Sequence, residues 1–336
     1  QIAVISNDEI PVALVSFDET EREVYVGEKF KLTTTIIPTN ATNPQLNWTS
    51  SNPAIATVDS EGLITPVGIG DCTITASARS GVSASFTCKV VSEAPVFPDL
   101  KFKGFIYSSF DQNRDNFISR SEAKSVTIIA CGDHGIFSLA GIEYFENLVY
   151  LSCSSNYISS LDLSKNTKLE ELDCYKNTLT KLDFSNNPQL KYLQCYDNQL
   201  VSLTIKTNHR LKELQCGYNH LSALDLSECS DLEYLDCSHN ELLSLDVSNN
   251  TFLAKLNCDV NQLSSLLLGR NSVLSSLSCY YNQLSSIDLS FLPSIEGINC
   301  SSNQIEHLDI GHNTILQSLN CSNNQLSEIN ISGNNN

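Results

Sequence analysis

Methionine is absent from all 336 residues, and there is a single tryptophan. No window holds the ~18 unbroken apolar residues of a membrane-spanning helix, so no transmembrane segment is expected. Basic residues are scarce. Lys and Arg number 20 against 38 Asp and Glu, for a net charge of −18. That surface repels phosphate backbones and anionic lipid, which argues against nucleic-acid partners and charge-driven membrane binding. With no Met even at position 1, the chain reads as a mature or truncated form whose signal peptide is gone. Phosphate loops, Cys/His zinc patterns and nucleotide fingerprints are also missing. The six histidines are scattered without a recurring acid or nucleophile beside them. Ser, His and Asp are bound to meet by accident in such a chain, so no enzyme is expected.

Cysteine, by contrast, is plentiful at 13 residues, and its spacing is informative. Cys153, Cys174, Cys195, Cys216, Cys237, Cys258, Cys279, Cys300 and Cys321 recur at every twenty-first position. A repeat of this length predicts a solenoid. One unit reads Leu169-Glu-Glu-Leu172-Asp-Cys174-Tyr-Lys-Asn177-Thr-Leu179-Thr-Lys-Leu182-Asp-Phe184, then Ser-Asn-Asn187. Alternate apolar positions predict short strands that stack in parallel and bury their Leu and Cys against neighbouring coils. Side chains in such a ladder stand about 4.8 Å apart, while a disulfide needs Cβ atoms nearer about 3.8 Å. The cysteines therefore read as reduced core thiols.

Asn156, Asn177, Asn198, Asn219, Asn240, Asn261, Asn282, Asn303 and Asn324 form a second ladder. An amide carries donor and acceptor together and suits the turn after each strand. A third ladder runs Asn166, Asn187, Asn208, Cys229, Asn250 and Asn271. Leu292 breaks it, which predicts a distorted coil near Phe291-Leu-Pro293. A row of acids, Asp162, Asp183, Asp225, Asp246, Asp288 and Asp309, falls in the second strand of the coils. Such a row recruits a cation or bonds to its own backbone, and the second reading is preferred.

The motif resembles a leucine-rich repeat over about residues 126–336. Its short, Cys-containing form is similar to that of surface proteins of gut and oral Bacteroidetes. Cys131 starts a first coil of twenty-two residues. In the family the first strand lines a concave face, whose outward positions here are Tyr150, Glu171, Asp173, Tyr175, Tyr192, Tyr196, Asp197, Glu213, Tyr218, Tyr234, Asp236, Asp259, Tyr280 and Tyr281. Tyr offers a flat apolar ring with a polar tip, suited to protein anchors and to sugar stacking. Its strand propensity is the competing explanation. The resemblance implies an extracellular or outer-surface bacterial protein that binds a host protein or a glycan. A structural scaffold is the alternative, and a monomer is expected.

Residues 1–92 alternate in short runs, Glu23–Val26, Phe30–Ile37, Gln45–Trp48 and Cys72–Thr75, between turn residues. This predicts a small β-sandwich. The string from Trp48 to Leu63, followed by Gly70-Asp-Cys-Thr-Ile-Thr75, resembles the bacterial immunoglobulin-like domain of group two. Trp48 is then core. Cys72 and Cys88 share inward parity, as a cross-strand disulfide or as two buried thiols. The whole chain is expected to be mostly β, an Ig-like sandwich followed by the solenoid.

Between them, residues 93–125 read as linker, helix and loop. Leu100, Phe102, Phe105, Ile106 and Phe110 share a helical face, and Pro98-Asp99 suits a helix start. Then Asp111-Gln-Asn113-Arg-Asp115-Asn116-Phe117-Ile118-Ser119-Arg-Ser-Glu122 aligns with the calcium loop of an EF-hand. Asp111, Asn113, Asp115, the Phe117 carbonyl, Ser119 through water and Glu122 are the candidate ligands of a structural Ca²⁺. Asn116 replaces the usual Gly, and Asn tolerates the left-handed conformation better than most residues. A lone loop of this kind is closer to dockerin-type sites than to a sensor. Helix and loop are expected to cap the solenoid, with calcium stiffening the junction.

Overall fold

A computed structural model describes residues 9–334. It divides into two compact units. One runs to Pro95 and includes Tyr107–Ala123; the other comprises Val96–Ile106 and the chain from Lys124.

The first unit is a β-sandwich. Four strands stand in the order Glu21–Val26, Ser83–Glu93, Gly70–Ala78, Leu46–Ser50. Three more stand in the order Phe30–Lys31, Leu63–Pro66, Ala56–Val58, and Leu14–Phe17 pairs with Thr34–Ile37. The alternating residues Ile74, Phe86 and Val90 turn inward on Val24, Phe30 and Ile64. The run Phe30–Ile37 is therefore two strands in two sheets, not one. Trp48 is partly buried where two core clusters meet and stacks on Phe17 at 5.6 Å. Gly62 has φ +78, and a Cβ there would lie 2.6 Å from the indole, so both conformation and space call for glycine. Cys72 lies directly opposite Cys88 across two antiparallel strands, and both thiols are free and buried. Burial, and then the neighbouring Cys72, push the Cys88 thiol up to about 12.

The second unit is the solenoid. Ten parallel strands, each three residues long, form one sheet from Ile128–Ala130 to Ser318–Asn320. From the second strand on, their central residues pair at steps of twenty-one, Leu on Leu as in Leu172↔Leu193 except where Ile298 stands between Leu277 and Leu319. The first step is Ile129↔Leu151, so the longer first coil brings Cys131 into phase. Leu and Cys fill the inside, and Cys153 through Cys300 are buried. Each Asn of the first ladder is used at both ends. Asn198 accepts the Leu179 N–H at 3.0 Å and donates to the Cys174 and Cys195 carbonyls at 3.0 and 3.1 Å. The outer ladder works through its nitrogen alone: Asn187 donates to the Leu163 and Asn166 carbonyls, while its own oxygen is buried without a partner.

Two expectations about the solenoid are corrected. Leu292 does not distort its coil. Gly297–Asn299 pairs in register on both sides, and Leu292 donates to Leu289 as ladder Asn residues do at the same turn. The outer ladder also resumes at Asn313, which donates to Leu289 and Leu292. Among the described residues the second strands, in turn, form only in pairs of coils: Lys181–Asp183 with Ser202–Thr204, Ser244–Asp246 with Ser265–Leu267, and His307–Asp309 with Glu328–Asn330. Asp162, Asp225 and Asp288 thus lie outside strands. Every Asp of the row accepts the N–H two residues on, at 2.9 to 3.2 Å. That is the backbone-bonding reading. Hydrogen bonds from the following serine hold the Asp162, Asp183, Asp225 and Asp288 carboxyls below their ordinary range.

The helix Leu100–Phe110 begins at Asp99. Asp99 Oδ1 accepts the N–H groups of Lys101 and Phe102, and its Oδ2 accepts those of Phe137 and Ser138 in the first coil. Burial alone would raise this carboxyl; the four N–H donors outweigh it and hold it low. Phe102 and Ile106 are buried, but Leu100 is 81% exposed, so it lies off the packed face.

Candidate functional site

Two places carry candidate residues: the open face of the ten-stranded sheet and the loop 111–122.

On the sheet, register brings the outward residues into two rows. The first runs Tyr150, Glu171, Tyr192, Glu213, Tyr234, Lys255, alternating ring and acid over five coils. The second runs Ser152, Asp173, Gln194, Gln215, Asp236, Asn257. The Tyr150 hydroxyl donates to Asp173 Oδ2 at 2.9 Å, tying the rows together. Asp236 Oδ1 accepts from both the backbone and the hydroxyl of Ser238. Burial, then the neighbouring Asp173 and Glu213, push the Glu171 carboxyl up; burial does the same to Asp173. Lys191 and Lys212, one residue before the strands, are held by Glu170 and Glu233 at 2.7 Å each.

A third row begins just beyond the strand ends. Tyr175 and Tyr196 stack at 4.6 Å and 5° between planes. The next coil has Gly217 in that position. Tyr218, Asp197 and Tyr281 were expected on the strand. They occupy instead the turn that follows, at φ 54, 56 and 55. The same left-handed turn recurs in every coil from Ser155 to Asn323, one residue before each ladder Asn. Tyr218 points outward there, 56% exposed, and stacks on His239 at 4.0 Å. His239 was missed. Its only signal is its position, twenty-one residues after Tyr218. Asp259 accepts from the Ser278 hydroxyl and the Tyr280 N–H, each at 2.7 Å, so it braces the next coil.

The loop 111–122 belongs to the first unit, not to the solenoid as expected. Arg120 explains this placement: its N–H donates to Glu28, its guanidinium to Glu23, and it lies over the Tyr25 ring. Within the loop, Asp111 accepts the N–H groups of Asp115 and Asn116, and Asn113 accepts that of Asp115. Asn116 stands at φ 60, the conformation expected of it. Ile118 is buried. Glu122 Oε1 accepts the Gln112 N–H, and Oε2 accepts the N–H and hydroxyl of Ser119. The loop is closed by these internal bonds, and its side chains offer hard oxygens, the ligand type that suits Ca²⁺. Among the described residues no three His, Cys, Asp or Glu side chains converge as a metal cluster. The loop set relies also on Asn113, Ser119 and a carbonyl.

The sandwich and the repeating coil together define an Ig-like domain followed by a leucine-rich-repeat solenoid. Residues 11–90 match the bacterial Ig-like domain, group 2. Internalin J of Listeria monocytogenes is 31% identical over 129 residues, covering 38% of this chain and 13% of that protein. The solved functional domain of InlJ from Listeria monocytogenes, which includes a cysteine ladder, is 32% identical with a TM-score of 0.56. That match covers 70% of this chain and 60% of the other. An A type blood N-acetyl-alpha-D-galactosamine deacetylase of Flavonifractor plautii is 38% identical over 65 residues, 19% of this chain and 8% of that enzyme. The chain spans about a fifth or less of the curated relatives it matches. No described helix is long and apolar enough to cross a membrane.

Proposed function

We propose that this chain is a non-enzymatic recognition protein of a bacterial surface, or a secreted one, whose open sheet face binds a protein or a glycan of another cell. The observation that carries the reading is the unpartnered face of ten strands, with tyrosines and acids concentrated in its first six coils. Large rings beside polar groups are what recognition surfaces use, whereas uniform cover needs neither. The cysteine ladder shared with the InlJ domain supports a surface role. The relatives come from Listeria, Clostridium and Flavonifractor, so a Bacteroidetes origin rests on the repeat resemblance alone. The deacetylase likeness covers too little of that enzyme to carry its chemistry here. A scaffold without a ligand is the second reading, favoured by the uniformity of the Asn and Cys ladders.

The experiment is a screen of the purified chain, with calcium present, against matrix proteins and glycans. A Tyr175→Ala/Tyr192→Ala/Tyr196→Ala variant is screened beside it. The expected result is a ligand whose affinity falls at least about tenfold in the variant with its melting curve unchanged. A ligand indifferent to the variant moves binding elsewhere, and no ligand at all favours the scaffold.

Calcium is the proposed structural ion of the loop, held by Asp111, Asn113, Asp115, the Phe117 carbonyl, Ser119 and Glu122. With an affinity of about 10⁻⁴–10⁻³ M, ~1 mM Ca²⁺ stabilises the chain by about 0.4–1.4 kcal/mol. The expected readout is a rise in melting temperature of about 1–5 °C, reversed by chelator. Asp111→Asn should remove the calcium-dependent part. A melting curve indifferent to calcium would sink the site.

A further inference from the structure

The spacing of the rings narrows the ligand. Neighbouring coils stand about 4.8 Å apart, so Tyr150, Tyr192 and Tyr234 recur about every 9.6 Å, with Glu171 and Glu213 midway. A polyproline II helix advances about 3.1 Å per residue and turns every third, so one of its faces repeats about every 9.3 Å. An extended strand repeats a face about every 6.8 Å, which fails to meet successive rings. An α-helix repeats a face at about 10.5 Å over seven residues, a drift about three times larger. Aromatic-lined grooves are the usual seat of polyproline II segments because the ligand is already ordered.

The charge selects further. From Ile128 to Asp236 the outward strand positions carry four acids, Glu171, Asp173, Glu213 and Asp236, and no base; Lys255 is the first. Lys191 and Lys212 nearby are occupied by Glu170 and Glu233. An Arg or Lys one or two residues beyond a stacked proline lies about 3–6 Å further along the ligand axis. Each carboxylate of the first row lies about 4.8 Å beyond a ring.

We infer that the sheet face between Tyr150 and Tyr234 takes a basic, proline-rich protein segment in the polyproline II conformation. It runs along the solenoid axis, with prolines on the tyrosines and Arg or Lys on the acids between them. This rests on the reading of the face as a binding surface and names its occupant.

The test uses the full chain and three peptides of about 18 residues: a Pro-Pro-Arg repeat, a Pro-Pro-Glu repeat and a flexible Gly-Ser-Arg repeat. The Pro-Pro-Arg peptide should bind at least about tenfold tighter than the other two, and more weakly as salt rises. Glu171→Gln/Glu213→Gln should remove that preference, as should Tyr192→Ala. Asp162→Asn/Asp183→Asn, the same charge change in the other acid row, should leave it intact. Equal binding of Gly-Ser-Arg overturns the polyproline register, and equal loss in both acid pairs reduces the effect to net charge. If no peptide binds, the occupant is wrong. If the screen then finds a ligand lost in the tyrosine variant but kept in Glu171→Gln/Glu213→Gln, the face is a receptor for something else.

Discussion

Asn198→Ala is expected to cost the chain about 3 kcal/mol of stability, within a range of about 2–5. Asn198 is buried and fully engaged. Without its side chain the Leu179 N–H loses the acceptor it has in Asn198, while the Cys174 and Cys195 carbonyls each keep one donor, from Asn177 and Asn219. One buried orphan donor, three weakened carbonyls (Cys174, Cys195 and Tyr196) and a small cavity add to that magnitude. Asn208→Ala is the control. It also sits in a buried ladder, but it makes one donation, to the Asn187 carbonyl, and its oxygen is already without a partner. Removing an orphan acceptor returns part of the loss, so Asn208→Ala should cost less than half as much. Urea unfolding of the two variants beside the parent measures both. Equal costs would mean that the oxygen of the first ladder contributes nothing.

The same asymmetry explains what each ladder tolerates. The inner ladder is Asn in all nine coils because both ends of the amide are used. The outer ladder needs only a donor. Cys229 supplies a weak one, its thiol lying 3.7 Å from the Ile205 carbonyl, and Leu292 supplies none while the turn still closes. The expected distortion at Leu292 fails for this reason. Counting Asn at fixed spacing reveals the slot but not how many of its atoms are used.

The solenoid was legible in the sequence because its period holds without a slip from Cys153 to Cys321, and so were the inward Leu and Cys. The left-handed turn was not. Its column holds Ser155, Lys176, Asp197, Tyr218, His239, Val260, Tyr281, Ser302 and Asn323, which share no conformational preference. The neighbouring Asn imposes that conformation by bonding across coils, so a non-local cause leaves no local signal. Nothing local in the sequence therefore separates Tyr218 from the strand or pairs it with His239. The tyrosine and acid rows were visible as residues. Their alternation, ring over acid over ring, became visible only with the register. In the loop 111–122 the left-handed Asn116 was readable from the sequence. The loop's place beside the Ig-like sheet was not, because Arg120 stands 92 and 97 residues from Glu28 and Glu23 and the three follow no motif.

Native thiols should be almost inert, and the effect is large. Burial holds Cys131 and Cys195 up at about 12, and pushes Cys153, Cys174, Cys216 and Cys258 well above the ordinary thiol value. Alkylation proceeds through the thiolate. At about pH 8 a thiol of pKa about 12 is ionised on the order of 10³-fold less than a free one, before steric exclusion is counted. Raising the pH speeds labelling only as it approaches the raised value or unfolds the chain. Cys321, in the last coil, is the partly exposed exception. Mass spectrometry after iodoacetamide should therefore show native labelling confined to Cys321, and all 13 cysteines labelled in denaturant without reductant. Rapid native labelling across several coils would mean that the solenoid opens locally. Two labels fewer in denaturant, restored by reductant and mapped to Cys72 and Cys88, would show that this facing pair had oxidised. The same deficit mapped to neighbouring coils would overturn the ladder as free thiols. The in-register spacing of parallel strands argues against that result, since it holds sulfur-bearing side chains too far apart to bond.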